Sequence, residues 1–164
     1  GGHAIDIGGN RGIYTYKLNL LDLKIETFEP NPDCFKILAS WANDKKLVTV
    51  HQIALSNNSG SANLYIPIDN LGIEHDASAT IESGSFENAR NQEVHLERLD
   101  FFNFTEIDFI KIDVEGHESS LIEGAVETIR TQTQSENGRR LLKTTRNSLI
   151  SNGSRSRKLS LTAA

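Results

Sequence analysis

Apolar and polar positions follow strand and helix rhythms along the first 130 residues of this chain and neither rhythm after that. Ile5-Asp6-Ile7 reads as a short strand entering the turn Gly8-Gly9-Asn10-Arg11-Gly12. Ile13, Tyr16 (or Lys17) and Leu20 then recur at helical spacing up to Leu21. Residues 24–29 read as a second strand, stopped by Pro30 and Pro32, with Asn31 as a helix N-cap and Pro32 at the first helical position. Phe35, Leu38 and Ala42, with Trp41 beside them, give that second helix a buried face. Residues 47–51 are strand-like, and Ala54-Leu55-Ser56 leads into the turn 57–60. Ala62, Leu64 and Ile66 alternate as a strand ended by Pro67. Residues 68–91 have no period and read as a long loop, a length that in compact domains marks a lid or disorder. Val94 and Leu96 alternate again. Residues 107–116 form the most strongly strand-like run, and Leu121, Ile122, Ala125 and Ile129 mark one helix after it.

Strands alternating with helices predict an α/β fold built on a doubly wound, mostly parallel sheet. In such a sheet ligands bind outside the carboxyl ends of the strands, which is where the glycine turn falls. A dinucleotide fingerprint requires G-x-G-x-x-G, whereas here the glycines stand at 8, 9 and 12, with Asn10 at the middle glycine position. Asp6, on the strand before the turn, is not part of that fingerprint either. A nucleotide-like ligand without a pyrophosphate fits better than NAD.

Composition sharpens this reading. At 164 residues there is room for one domain, and the net charge of −5 averages an acidic body with a basic tail. From Thr131 onward the only acid is Glu136, facing Arg139, Arg140, Lys143, Arg146, Arg155, Arg157 and Lys158. An acidic body argues against nucleic acid as partner. Cys34 is the only cysteine, so no intrachain disulfide forms and a reducing, cytoplasmic setting is expected. No apolar run reaches the length of a membrane span, so no membrane partner is expected.

Two stretches carry candidate chemistry. Glu29 closes the second strand 23 positions after Asp6, about where a carboxylate accepts hydrogen bonds from ribose hydroxyls. In 111–118, alternation puts Lys111, Asp113 and Glu115 on one face and Ile110, Ile112 and Val114 on the other. Lys111 and Asp113 would be costly to bury unless paired with each other or with a ligand. Gly116 allows a turn that brings His117 back over the cleft. The alternative for this cluster is a structural ion pair.

The ordered set Asp6-x-Gly8-Gly9-Asn10-x-Gly12, Phe28-Glu29-Pro30-Asn31-Pro32, Ala54-Leu55-Ser56, Leu99-Asp100 and Ile107 through Glu118 resembles the FkbM family of S-adenosylmethionine-dependent methyltransferases over roughly residues 3–130. The block 107–118 is its most specific part. The resemblance implies a class I methyltransferase (Rossmann-like) fold and methyl transfer to an oxygen of a small molecule or sugar. Carried over by position, Gly8, Asn10 and Gly12 would cradle the methionine half of S-adenosylmethionine, with Asp6, on the strand before the turn, also counted as cofactor-binding. Glu29 would hold its ribose, the segment at Ala54, Leu55 and Ser56 would border its adenine, and Asp113 would sit beside the methyl donor.

In-line methyl transfer needs a positioned acceptor and a base for the hydroxyl proton. His117 is the best candidate because an unperturbed imidazole titrates near neutrality. Asp113 or Glu115 could instead take the proton or orient the ring. A divalent metal on Asp113, Glu115 and His117 is the weaker option, since residues so close on one strand rarely face one point. The resemblance ends near Arg130, and the expectation is a domain truncated at both ends, residues 1–130. Residues 131–164 are then a basic, polar, poorly ordered tail such as a frameshift or misjoined exon would give, with only Leu141, Leu142, Leu149 and Ile150 hinting at a short helix. Without a later strand, the strand of Asp113 is expected to present an unpaired edge. The competing readings are a non-catalytic fragment of the same fold and an NAD-dependent oxidoreductase.

Overall fold

In the computed structural model, which describes residues 2–82, 88–134 and 141–144, the chain winds around a five-stranded parallel sheet. Its strands are β1 (His3–Ile7), β2 (Lys24–Phe28), β3 (Val48–His51), β7 (Phe109–Ile112) and β8 (Leu141–Thr144), in the order β3-β2-β1-β7-β8. All five residues of β1 are buried, because β1 is central and both its faces are covered. Such a strand reads as a near-continuous apolar run, and the polar residue within it must find a partner.

Helix α1 (Ile13–Asn19) connects β1 to β2, and α2 (Pro32–Ala42) connects β2 to β3. The α2 start is as expected. Asn31 caps it by accepting from Asp33 N at 3.0 Å, and Pro32 opens the helix where its missing N–H is harmless. Between β3 and β7 the chain builds a second, three-stranded sheet from β4 (Ala54–Leu55), β5 (Gly60–Pro67) and β6 (Ala89–Glu97), in the order β4-β6-β5. β5 and β6 pair antiparallel along their length, and Ala54, Leu64, Ile66, Val94 and Leu96 form a core of their own. The main core, with Ile5, Ile7, Phe28, Leu99, Ile110 and Leu121 among its members, lies against the parallel sheet.

Three expectations are corrected. The helix expected across Leu121–Ile129 is two helices, α3 (Glu118–Glu123) and α4 (Val126–Gln134). Gly124 sits so close to the Ser56 carbonyl that any Cβ would overlap it, and its own carbonyl accepts from Asp100 N at 3.0 Å. Asp100 in turn caps α4, accepting from Thr128 N at 2.8 Å. The strand at 107–116 is shorter than its pattern suggests, because its neighbour β1 ends at Ile7, opposite Ile112.

The edge of β7 is not bare. Leu141–Thr144 extends it as β8, with Phe109 opposite Leu141 and Ile112 opposite Thr144. An open parallel edge accepts an apolar run once a helical crossover separates the two, and α3 with α4 supplies that crossover. Leu141 and Leu142 therefore lie on a strand rather than on the expected short helix; Leu149, Ile150 and most of the remaining tail lie outside the described residues. Among the described residues, no helix is long and apolar enough to cross a membrane.

Candidate active site

Register places the site. Ile7 is opposite both Phe28 and Ile112, so β2, β1 and β7 end level and deliver Glu29, Gly8 and Asp113 side by side. These ends open on to a cleft of about 280 Å³, close to the ~300 Å³ lower bound of small-molecule sites. Gly8 to Arg11, Glu29, Ala54, Leu55, Asp113, Glu115 and His117 all line it.

The glycine turn is made by backbone fit. Gly8 has φ +75°, and an added Cβ would overlap the carbonyl oxygen of Asp113. Its glycine is thus required by the seam between β1 and β7. Gly12 has φ +91°, and a Cβ there would come within 2.6 Å of Leu38 Cδ1. Every backbone N–H of the turn is already donated within the chain. Those of Gly8 and Gly9 go to Phe28 O, that of Asn10 to Glu29 Oε2, that of Arg11 to Asn10 Oδ1 and that of Gly12 to Gly9 O. A phosphate cradle needs free amide donors, and this turn offers contact surface instead. That is the physical reason the spacing is poor for a pyrophosphate.

Glu29 is 6% exposed. Its two oxygens accept from Asn10 N at 2.7 Å and Asn31 N at 2.8 Å. Burial pushes its carboxyl up to about 7, against the opposing pull of those two amides and Lys111. Each carboxylate oxygen keeps a second acceptor position, so the group can still receive two hydroxyls.

Below the turn, Asp6 and Lys111 face each other across β1 and β7 in register. Lys111, 2% exposed, reaches Asp6 Oδ1 at 3.0 Å and Gly8 O at 2.7 Å, with Asp113 Oδ2 3.7 Å away and the Tyr14 ring centroid 4.9 Å away. Asp6 also accepts from Thr15 Oγ1 at 2.7 Å. The buried lysine is thus paired, as its cost demanded, and it ties the turn to the end of β7.

Residues 76–82, after β5, form a strap over the cleft. Asp76, Ala77, Ala79, Thr80 and Ile81 line it from above. The strap is fastened to one wall by Asp76, which pairs with Arg11 at 2.6 Å and accepts from Asn31 Nδ2 at 3.1 Å. On the other wall Thr80 Oγ1 donates to Glu115 O at 2.5 Å, and Glu82 Oε1 lies 2.5 Å from His117 Nδ1. Gly116, at φ +77°, makes the turn that brings His117 over the cleft as expected.

The structure therefore brings Gly8, Asn10, Glu29, Ala54, Leu55, Asp113, Glu115 and His117 to one cleft. Asp6 and Gly12 stand behind its wall, Asp6 as the partner of Lys111 and Gly12 as the N-cap of α1 packed on Leu38. Among the described residues no three His, Cys, Asp or Glu side chains are placed to hold a metal, Asp113, Glu115 and His117 included. Arg11, Asp76, Thr80 and Glu82 escaped the sequence reading. For Asp76, Thr80 and Glu82 the length of the loop was the only signal, since no periodicity marks a strap held by side chains, and Arg11 was read only as part of the glycine turn.

A family model described as "Methyltransferase FkbM domain" matches residues 6–135. Among solved structures, a methyltransferase FkbM from Methylobacillus flagellatus KT superposes with a TM-score of 0.54 at 17% identity, over 78% of this chain and 30% of that one. The chain thus spans under a third of the length of that structure. No curated protein matches it.

Proposed function

Because this chain belongs to the FkbM methyltransferase family, we propose that it transfers a methyl group from S-adenosylmethionine to a hydroxyl of a small molecule or sugar. The observation that carries this reading is the level ending of β2, β1 and β7, which presents Glu29, the bare Gly8-Gly9 backbone and Asp113 to one cleft. Bound there, S-adenosylmethionine supplies an electrophilic methyl carbon with a neutral thioether as leaving group.

The chain's own residues fit that ligand. Glu29 has two acceptor positions left for a ribose diol. Ile53, Ala54, Leu55 and Leu64 offer an apolar slot for a purine. Asp113, its side chain 41% exposed, puts a carboxylate on the open side of the cleft, which suits a cationic sulfur. Positioning the acceptor oxygen in line with the methyl carbon is the main task, and excluding water under the strap supports it. His117 is the proposed base. An oxygen that has gained a methyl group sheds its proton readily, and the unprotonated nitrogen of an imidazole can take it.

Parallel equilibrium titrations with S-adenosylhomocysteine and NADH test this proposal. S-adenosylhomocysteine should saturate one site and NADH should not bind; the reverse preference would replace the methyltransferase reading with the oxidoreductase one. A second reading, a cofactor-binding domain without turnover, draws on the 30% coverage of the solved structure. It predicts the same binding with no methyl transfer to any acceptor.

A further inference from the structure

Three side chains far apart in sequence meet beside the cleft, of which His117 lines it: Ser56 just after β4, Glu82 on the strap and His117 in the turn between β7 and α3. His117 Nδ1 lies 2.5 Å from Glu82 Oε1 and Nε2 lies 2.9 Å from Ser56 Oγ. An ionised carboxylate only accepts hydrogen bonds, so the Nδ1 position carries the proton. In the neutral ring this leaves the lone pair on Nε2, and the Ser56 hydroxyl donates to it.

We propose that Glu82 is a positioning residue that fixes His117 as the Nδ1–H tautomer, making Nε2 the nitrogen that receives the acceptor's proton. This rests on the methyltransferase reading above. Ser56 keeps the Nε2 lone pair oriented until an acceptor hydroxyl takes over as donor. As the acceptor oxygen gains the methyl group, its proton moves to Nε2 and the electron pair of the broken carbon–sulfur bond stays on sulfur. The Glu82 carboxylate then faces the imidazolium so formed. The same logic of base and orienting acid operates wherever a carboxylate holds the far nitrogen of a catalytic imidazole.

The placement of Glu82 is not incidental. Thr80, two residues before it, is bonded to the Glu115 carbonyl, so the strap delivers the carboxylate from backbone already tied to the turn of His117. Ser56 is buried and its carbonyl packs against Gly124, which fixes the backbone that carries the hydroxyl. Asp113, Glu115 and Glu118 share the turn with His117, yet the ring bonds to the strap and to the end of β4 instead.

Nitrogen-15 NMR of the His117 ring in the full chain tests the proposal, read on the high-pH plateau where the ring's nitrogen shifts no longer change with pH. The expected spectrum has a protonated Nδ1 and an unprotonated Nε2. Glu82→Ala should shift the population toward Nε2–H, with the Ser56 oxygen now accepting. Glu82→Gln should restore Nδ1–H, because its amide oxygen still accepts. A wild-type ring protonated at Nε2, or a tautomer unmoved in Glu82→Ala, would overturn the assignment. S-adenosylhomocysteine calorimetry on the same samples separates the two layers. Glu82 is half exposed, so its alanine variant should bind within about twofold of wild type. Binding lost in the variant alone would give Glu82 a cofactor role and sink the positioning one. Absence of binding in wild type would sink the methyltransferase reading and leave the tautomer result standing.

Discussion

The two walls of the cleft are built by different means. On the wall formed by the ends of β1 and β2, side chains are held by backbone: Glu29 accepts two amide N–H groups, and the glycine turn donates every N–H inward. On the wall formed by the end of β7 and the strap, groups are held mostly by other side chains: Glu82 by His117, His117 by Ser56, and Thr80 by one carbonyl. Backbone anchoring fixes a ligand group within a narrow range and survives most substitutions. Side-chain anchoring across long sequence distances can change one residue at a time. Under the proposed function, that division gives one rigid wall to the cofactor and one adaptable wall to the acceptor.

The largest effect should come from the seam joining the walls. Gly8→Val forces a β-branched residue to φ +75° and into the Asp113 carbonyl, so a loss of more than ~4 kcal/mol, read as failure to unfold cooperatively, is expected. A native melting curve would show that the walls do not meet there. Lys111→Met leaves the Asp6 charge buried without its partner and should destabilise by about 3–5 kcal/mol in urea melts. An unchanged midpoint would mean that the pair contributes nothing to joining the walls.

Glu29 sharpens the contrast through pH. Its folded carboxyl is raised to about 7 from the usual value of 4.5. Between those values the native chain binds the extra proton and the unfolded chain does not, so the stability of the ligand-free protein falls as pH rises through that window. The total is on the order of 3 kcal/mol, and Glu29→Gln should abolish that slope in melting temperature. Equal slopes in both proteins would place the titration elsewhere. The smallest effect belongs to the strap. Arg11→Ala breaks an exposed pair with Asp76 and should leave the global melting midpoint nearly unchanged, while speeding amide exchange across residues 76–82. Exchange spread instead over β1 and β2 would erase the distinction between the walls.

The rigid wall was legible in the sequence because its determinants are local. The glycine turn, Pro30-Asn31-Pro32 and the acid closing β2 each lie within a few residues of the geometry they impose. The β7 block was legible for the same reason, as was its need for a partner to Lys111. The strap was not. Asp76 and Glu82 meet Arg11 and His117 across 65 and 35 residues, and polar pairing leaves no period to read. The break at Gly124 also depends on a distant group, the Ser56 carbonyl. β8 was missed because four residues that pair on one open edge look like any other short apolar run in a polar tail.

Glu29 is proposed to grip a ribose in its ionised form, and the affinity for S-adenosylhomocysteine measured across about pH 5.5 to 8.5 tests this most directly. Hydroxyl donors favour the ionised carboxylate, so wild-type affinity should fall up to tenfold per unit below about 7 and level off above it. In Glu29→Gln the affinity should be at least tenfold weaker at high pH and nearly independent of pH. Wild-type and variant curves that coincide, or a folded wild-type chain that binds nothing, would contradict it.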